Sequence, residues 1–150
     1  MRTLKQHLYD LCLHDVTARI SSIQNAIQSA QSDAGEETKS SAGDKYETGR
    51  AMMHLEIEKL STQLNDALRS KKILEQLDPD KETHKVQSGS IILTTNGNFF
   101  MAISAGPFKA EGNDFFCISP GSPIGSILLG KGAGERFQFR NKEGIIERVL

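Results

Sequence analysis

From Leu13 onward the apolar residues of the chain fall at Leu13, Val16, Ile20, Ile23, Ile27, Ala30 and Ala34, in steps of three and four. Such spacing is a heptad seam, a narrow apolar stripe that one helix lays against another. Leu4, Leu8 and Leu11 carry the helix towards the N-terminus on a face rotated from the seam, so that end is expected to pack on something else. A second seam follows at Met53, Ile57, Leu60, Leu64, Ala67 and Leu74, with Lys71 standing where an apolar residue is expected. Neither segment holds a proline, and each can run for about 30 residues, roughly 45 Å at 1.5 Å per residue. The stretch SDAGEETKSSAG between them is rich in glycine, serine and acids and predicts a reversing turn, with a tip from Asp33 to Glu47. Closing a short polar turn within one chain costs less entropy than recruiting a second chain, so the pattern predicts an antiparallel coiled-coil hairpin.

After Leu77 the pattern changes. DPDKETHK ends the helix at Pro79 and supplies a charged linker. Strand-like runs then occur at 90–94, 99–104, 115–119, 135–140 and 145–149. Asn96-Gly97 is a hairpin signal between the first two runs, and Glu143-Gly144 a weaker one near the end. Ser122-Pro123 followed by IGSILLGK reads as a short helix, with Ser122 as N-cap, Pro123 in the first position and Gly130 just past the end. The expected fold is α+β: a coiled-coil hairpin over residues 1–78, a linker over 79–85, and a small β-rich domain over 86–150 built as an antiparallel sheet with one short helix.

Composition narrows the partners. A formal net charge of −1 over 150 residues offers no long-range attraction to phosphate backbones, so free nucleic acid is not the expected ligand and a protein partner is. No apolar run approaches the roughly 20 residues that cross a bilayer, and MRTLKQHLYD is too polar for a secretory signal, which points to the cytoplasm and away from membranes. Cys12 and Cys117 fall in a helix and a strand of different expected domains, without CxxC or Cys/His metal spacing. They are expected to be small buried apolar side chains and not a disulfide. His7, His14, His54 and His84 stand at no ligand or triad spacing. In each of the pairs Phe99-Phe100 and Phe115-Phe116, strand alternation predicts one core ring and one surface ring. Lys131 in GKGAG lacks the GxxxxGK[ST] pattern of a phosphate loop and follows a helix instead of opening one.

The closing stretch SPIGSILLGKGAGERFQFRNKEGIIERVL, through Ser122, Pro123, Ile124, Leu129, Gly130, Lys131 and Gly144, resembles the C-terminal signature of the bacterial Gre transcript-cleavage factors. With the hairpin before it, the resemblance covers nearly the whole chain. It implies an FKBP-like C-terminal domain that docks on bacterial RNA polymerase, and a coiled coil that enters the polymerase's secondary channel. It also implies tip acids that help hold a second Mg²⁺ in the polymerase active site while backtracked RNA is cleaved, two metal ions serving the attacking and leaving oxygens. Such a protein contacts nascent RNA only indirectly, has no cofactor of its own beyond Mg²⁺ shared with the polymerase, and assists an active site that is not its own. The family's Gly-Asp-x-x-Glu tip is matched by Gly43, Asp44, Lys45, Tyr46 and Glu47, which makes Asp44 and Glu47 the implied acids, with Glu36 and Glu37 as alternates. The family's tyrosine follows its acidic pair, whereas Tyr46 stands inside it here.

The same residues have a plainer reading. Ser41-Ala-Gly-Asp44 is a capping-box pattern with Asp in place of Glu, and an acid in a first helical turn gains about 0.3–1 kcal/mol from the helix dipole. Other functions stay open: a regulator that occupies the channel without promoting cleavage, a peptidyl-prolyl isomerase with the aromatic pairs as its pocket, and a coiled-coil adaptor for an unrelated partner.

Overall fold

The computed structural model of the chain describes the backbone of residues 2–40 and 44–150, and side chains outside residues 34–46. The fold is α+β, two long helices followed by a six-stranded mixed sheet. The helices are α1 (Leu4–Ser40) and α2 (Asp44–Glu75). After them come β1 (Ile91–Thr94), β2 (Gly97–Met101), β3 (Ala105–Ala110), β4 (Asn113–Ile118), α3 (Pro123–Leu128), β5 (Arg136–Phe139) and β6 (Lys142–Val149). The chain divides into two compact units, one formed by Met1–Asp15 with Lys71–Leu150, the other by Val16–Ser70.

In the helical unit the seam positions are the least exposed in each turn. Val16, Ile20, Ala30 and Ala67 are buried, and Ile23, Ile27, Met53, Ile57, Leu60 and Leu64 are half-buried, while Met52 and Leu55 point outward at 64% and 65% exposure. Arg19 and Ile23 of α1 line one cavity together with Gln63, Asp66, Ala67 and Ser70 of α2, which sets an early part of one helix beside a late part of the other. α1 continues to Ser40, through most of the stretch whose composition suggests a turn. One glycine inside a helix costs only about 1 kcal/mol, and the helix formers Ala34, Glu36, Glu37 and Lys39 around Gly35 offset it.

The sheet has the order β3-β4-β2-β1-β6-β5. Five of its strands match the runs seen in the sequence, but two features differ. β3 lies at an edge and carries Gly106-Pro107 with a register shift between Ala105 and Phe108, features that disguise it as a loop in the sequence. Because β3 returns the chain, β4 enters beside β2 in parallel, Phe99 opposite Phe116 and Phe100 opposite Cys117, so the sheet is mixed and not wholly antiparallel.

Turns differ in detail too. Gly97 pairs with Thr94, so the first hairpin closes through Thr95 and Asn96. The last hairpin turns at Arg140 and Asn141, both at positive φ (52° and 62°), rather than at Glu143-Gly144. Gly144 lies within β6 instead, facing Phe137, whose ring would stand 2.5 Å from an added Cβ.

One face of the sheet holds the cluster of Val86, Ile92, Met101, Ile118, Leu128, Phe137, Ile146 and Val149, with Ile124 and Ile127 of α3 packed against it. Alternation sends Ile91, Phe100, Phe115 and Cys117 to the other face. There Cys12 from the start of α1 meets Cys117, and Leu8 and Leu74 of the same unit are fully buried. The N-terminal turns of α1 thus pack on the sheet, which accounts for the rotated face of Leu4, Leu8 and Leu11.

Candidate functional site

The acids singled out by the sequence sit at helix ends. Asp44 is the first residue of α2 and Glu47 lies in its first turn with an exposed side chain. Glu36 and Glu37 belong to the last turns of α1. The side chains of Asp44, Glu36 and Glu37 lie outside the described residues, as does the Ser41–Gly43 segment of the capping pattern. Among the described residues no three His, Cys, Asp or Glu side chains are grouped so as to hold a metal ion.

The signature residues of the C-terminal stretch have definite structural roles. Ser122 caps α3: its Oγ accepts from the Gly125 amide at 3.1 Å and donates to the Ser119 carbonyl at 2.7 Å, with Pro123 in the first helical turn. Gly125 allows this closeness, since a Cβ there would lie 2.0 Å from the Ser119 oxygen. Beyond the helix, the Gly130 amide donates to the Val86 carbonyl and the Val86 amide to the Lys131 carbonyl, both at 2.8 Å. Gly130 and Lys131 therefore hold the end of the 79–85 stretch in place through their backbones and seat Val86 in the core.

The face of the sheet near α3 carries a cavity of about 240 Å³ lined by Asn96, Phe99, Ile124, Phe137 and Phe139, with Arg140 and Lys142 beside them. The Arg140 guanidinium stands 5.0 Å from the Phe139 ring centroid, a cation–π distance. Phe99 and Phe116 pair with ring centroids 6.2 Å apart, and Phe116 is 48% exposed while Phe100 and Phe115 are buried, one ring of each pair inside as alternation requires. The sequence reading of the aromatics missed Arg140 and Lys142. The available signal was the cationic flank of a turn between two strands, RFQFRNKEG.

A second cavity, about 440 Å³, opens around the start of α1 and is lined by residues that include Thr3, Lys5, Lys81, His84 and Arg148. Thr3 and Gln6 cap α1 reciprocally, and Gln6 also donates to Asp80. Lys5 is 8% exposed and donates to the Lys81 carbonyl. Burial pulls its ammonium below the ordinary lysine range, with Glu82 and Asp78 opposing that shift. Thr83 bonds Ser90 and the Leu150 carbonyl, both at 2.6 Å, so the stretch after Pro79 is tied to the sheet by buried hydroxyls.

The cysteines are buried and unlinked, as expected, but they meet. They share one unit, both buried, with the Cys12 Sγ donating to the Cys117 Sγ at 3.3 Å. That hydrogen bond, then burial, pushes the Cys12 thiol far above its ordinary range.

Two solved structures are similar to the chain over most of its length. One is the crystal structure of the GreA factor homolog 1 (Gfh1) protein of Thermus thermophilus, 15% identical, with 90% of this chain and 92% of that chain covered at a TM-score of 0.35. The other, a structure of the transcription factor Gfh1, is 16% identical over 92% of each chain at a TM-score of 0.37. At such identities and TM-scores neither likeness carries an argument about function. No family model and no curated protein matches the sequence.

Proposed function

We propose that this chain is a Gre-like transcription factor that binds bacterial RNA polymerase and presents the acidic ends of its two long helices to the secondary channel. The observation that supports the reading is the work done by the residues carrying the sequence resemblance. Ser122 holds the short helix, Gly130 and Lys131 seat Val86, and Gly144 admits Phe137, all in a sheet that follows seam-bearing helices of 37 and 32 residues. In this reading the protein acts in the cytoplasm and docks through the sheet-bearing unit, since a narrow helical tip offers too little area for a stable interface of about 1,600 Å². The aromatic cavity with its Arg140 and Lys142 flank is the surface best suited to that contact. Catalysis stays with the polymerase, any Mg²⁺ is the polymerase's, and Asp44 and Glu47 bring negative charge towards it.

The test uses a backtracked elongation complex with the full chain. Cleavage-promoting acids predict release of short 3′ RNA fragments, and Asp44→Asn should suppress the release while binding and folding persist, because Asn caps a helix nearly as well as Asp but lacks its charge. Equal release by wild type and Asp44→Asn would move the assignment to Glu36 or Glu37. Binding without release, with competition against a cleavage-competent factor, would make the protein a channel-occupying regulator. Failure to bind polymerase at all would remove the proposal.

A further inference from the structure

Cys12 and Cys117 are 105 residues apart in sequence, yet their sulfurs stand 3.3 Å apart inside one unit, on α1 and β4. Exposure is 0% at Cys12 and 4% at Cys117. An ordinary pair of buried cysteines packs as two small apolar side chains with no need to face each other. Here the two sulfurs face each other directly, and closing to the S–S bonding distance of about 2 Å asks for a movement of roughly 1.3 Å. The two residues also belong to the two stretches of chain, 1–15 and 71–150, that build the unit without being contiguous.

We propose that Cys12 and Cys117 form an oxidisable dithiol whose disulfide staples the N-terminal turns of α1 to the sheet, with hydrogen peroxide as the class of oxidant. Peroxide fits the site because it is small; a bulky disulfide reagent has no path to sulfurs so deeply covered. The chemistry balances in two steps. One cysteine sulfur attacks peroxide, the O–O bond breaks, a sulfenic acid forms, and the departing hydroxide takes the thiol's proton and leaves as water. The second sulfur then attacks the sulfenic sulfur, the S–O bond breaks, and a second water leaves. Two thiols and one peroxide give one disulfide and two waters. The bond closes a loop of about 105 residues, and cross-links that close long loops constrain the unfolded chain most. The inference stands on this unit alone and does not depend on the polymerase reading.

The experiment treats the folded 150-residue chain with peroxide, quenches it, unfolds it and blocks free thiols with a maleimide. The expected product carries no maleimide, is lighter by two hydrogen atoms, migrates faster on a non-reducing gel, and melts several degrees higher. A dithiol reductant should reverse all four. Peptide mapping should show a reducible link joining the Cys12 and Cys117 peptides. Cys12→Ala and Cys117→Ala should each abolish the fast-migrating species; should either variant fail to fold, the wild-type peptide map decides alone. Thiols that stay alkylatable after treatment, oxygen added without a link, or links only between chains would each overturn the proposal.

Discussion

Lys5 is only 8% exposed, and its ammonium donates to the Lys81 carbonyl. Burial is the largest influence on it and lowers its pKa, so the folded state disfavours the charged form. Wherever the folded lysine is charged, folding bears its desolvation. Between the depressed folded value and the ordinary 10.5 the unfolded chain binds the extra proton, so stability rises with pH across that window. Lys5→Met keeps most of the stem packing and removes the titration. Thermal melts from pH 7 to 10 should show the wild type gaining on Lys5→Met as pH rises; a flat difference would mean that the ammonium is well solvated in the folded protein. Comparing the two proteins cancels the pH dependence they share, including that of the Cys12 thiol and Tyr9, both raised in the folded state.

At the scale of elements, the seam makes a contrast within one helical pair. Ile20→Asp puts a charge at a position 8% exposed and should cost about 2–4 kcal/mol, while Leu55→Asp, at a position 65% exposed, should stay within about 0.5 kcal/mol. Urea unfolding followed by helical circular dichroism reads both. Equal costs would mean that the two stripes do not face a partner. The seams were legible in the sequence because heptad spacing is local and repeats over several turns. The α3 boundaries were legible for a related reason, Ser122, Pro123 and Gly130 each having a fixed meaning at a helix end. β3 was not, since Gly106 and Pro107 read as a loop and only an edge position lets a strand contain them. Nor was the parallel pairing of β2 with β4, which follows from that hidden strand. At the candidate site, the acidic tip motif could be read but not the cationic flank of the aromatic cavity. The meeting of Cys12 with Cys117 was hidden because it depends on which helix covers which sheet face.

The whole molecule shows why residues 86–150 do not carry their own closure. Ile91, Phe100, Phe115 and Cys117 turn to a face where Leu8, Cys12 and Leu74 of the same unit are also buried. A fragment of residues 80–150 should therefore expose that face, bind a hydrophobic dye such as ANS and lose its sharp melting transition, whereas the full chain melts cooperatively. A fragment that melts sharply without dye binding would show that the helix ends are dispensable. Docking on polymerase is accordingly tested with the full chain. The discontinuity of this unit also sets a timetable during synthesis. Leu8 and Cys12 leave the ribosome early, but the strand that receives Cys12 is encoded more than a hundred residues later. At about 5–20 residues per second that is a wait of roughly 5–20 seconds. For that interval the first helix of the nascent chain has its sheet-facing residues uncovered, and a thiol that the finished fold seals away is open to whatever oxidant or chaperone meets it first.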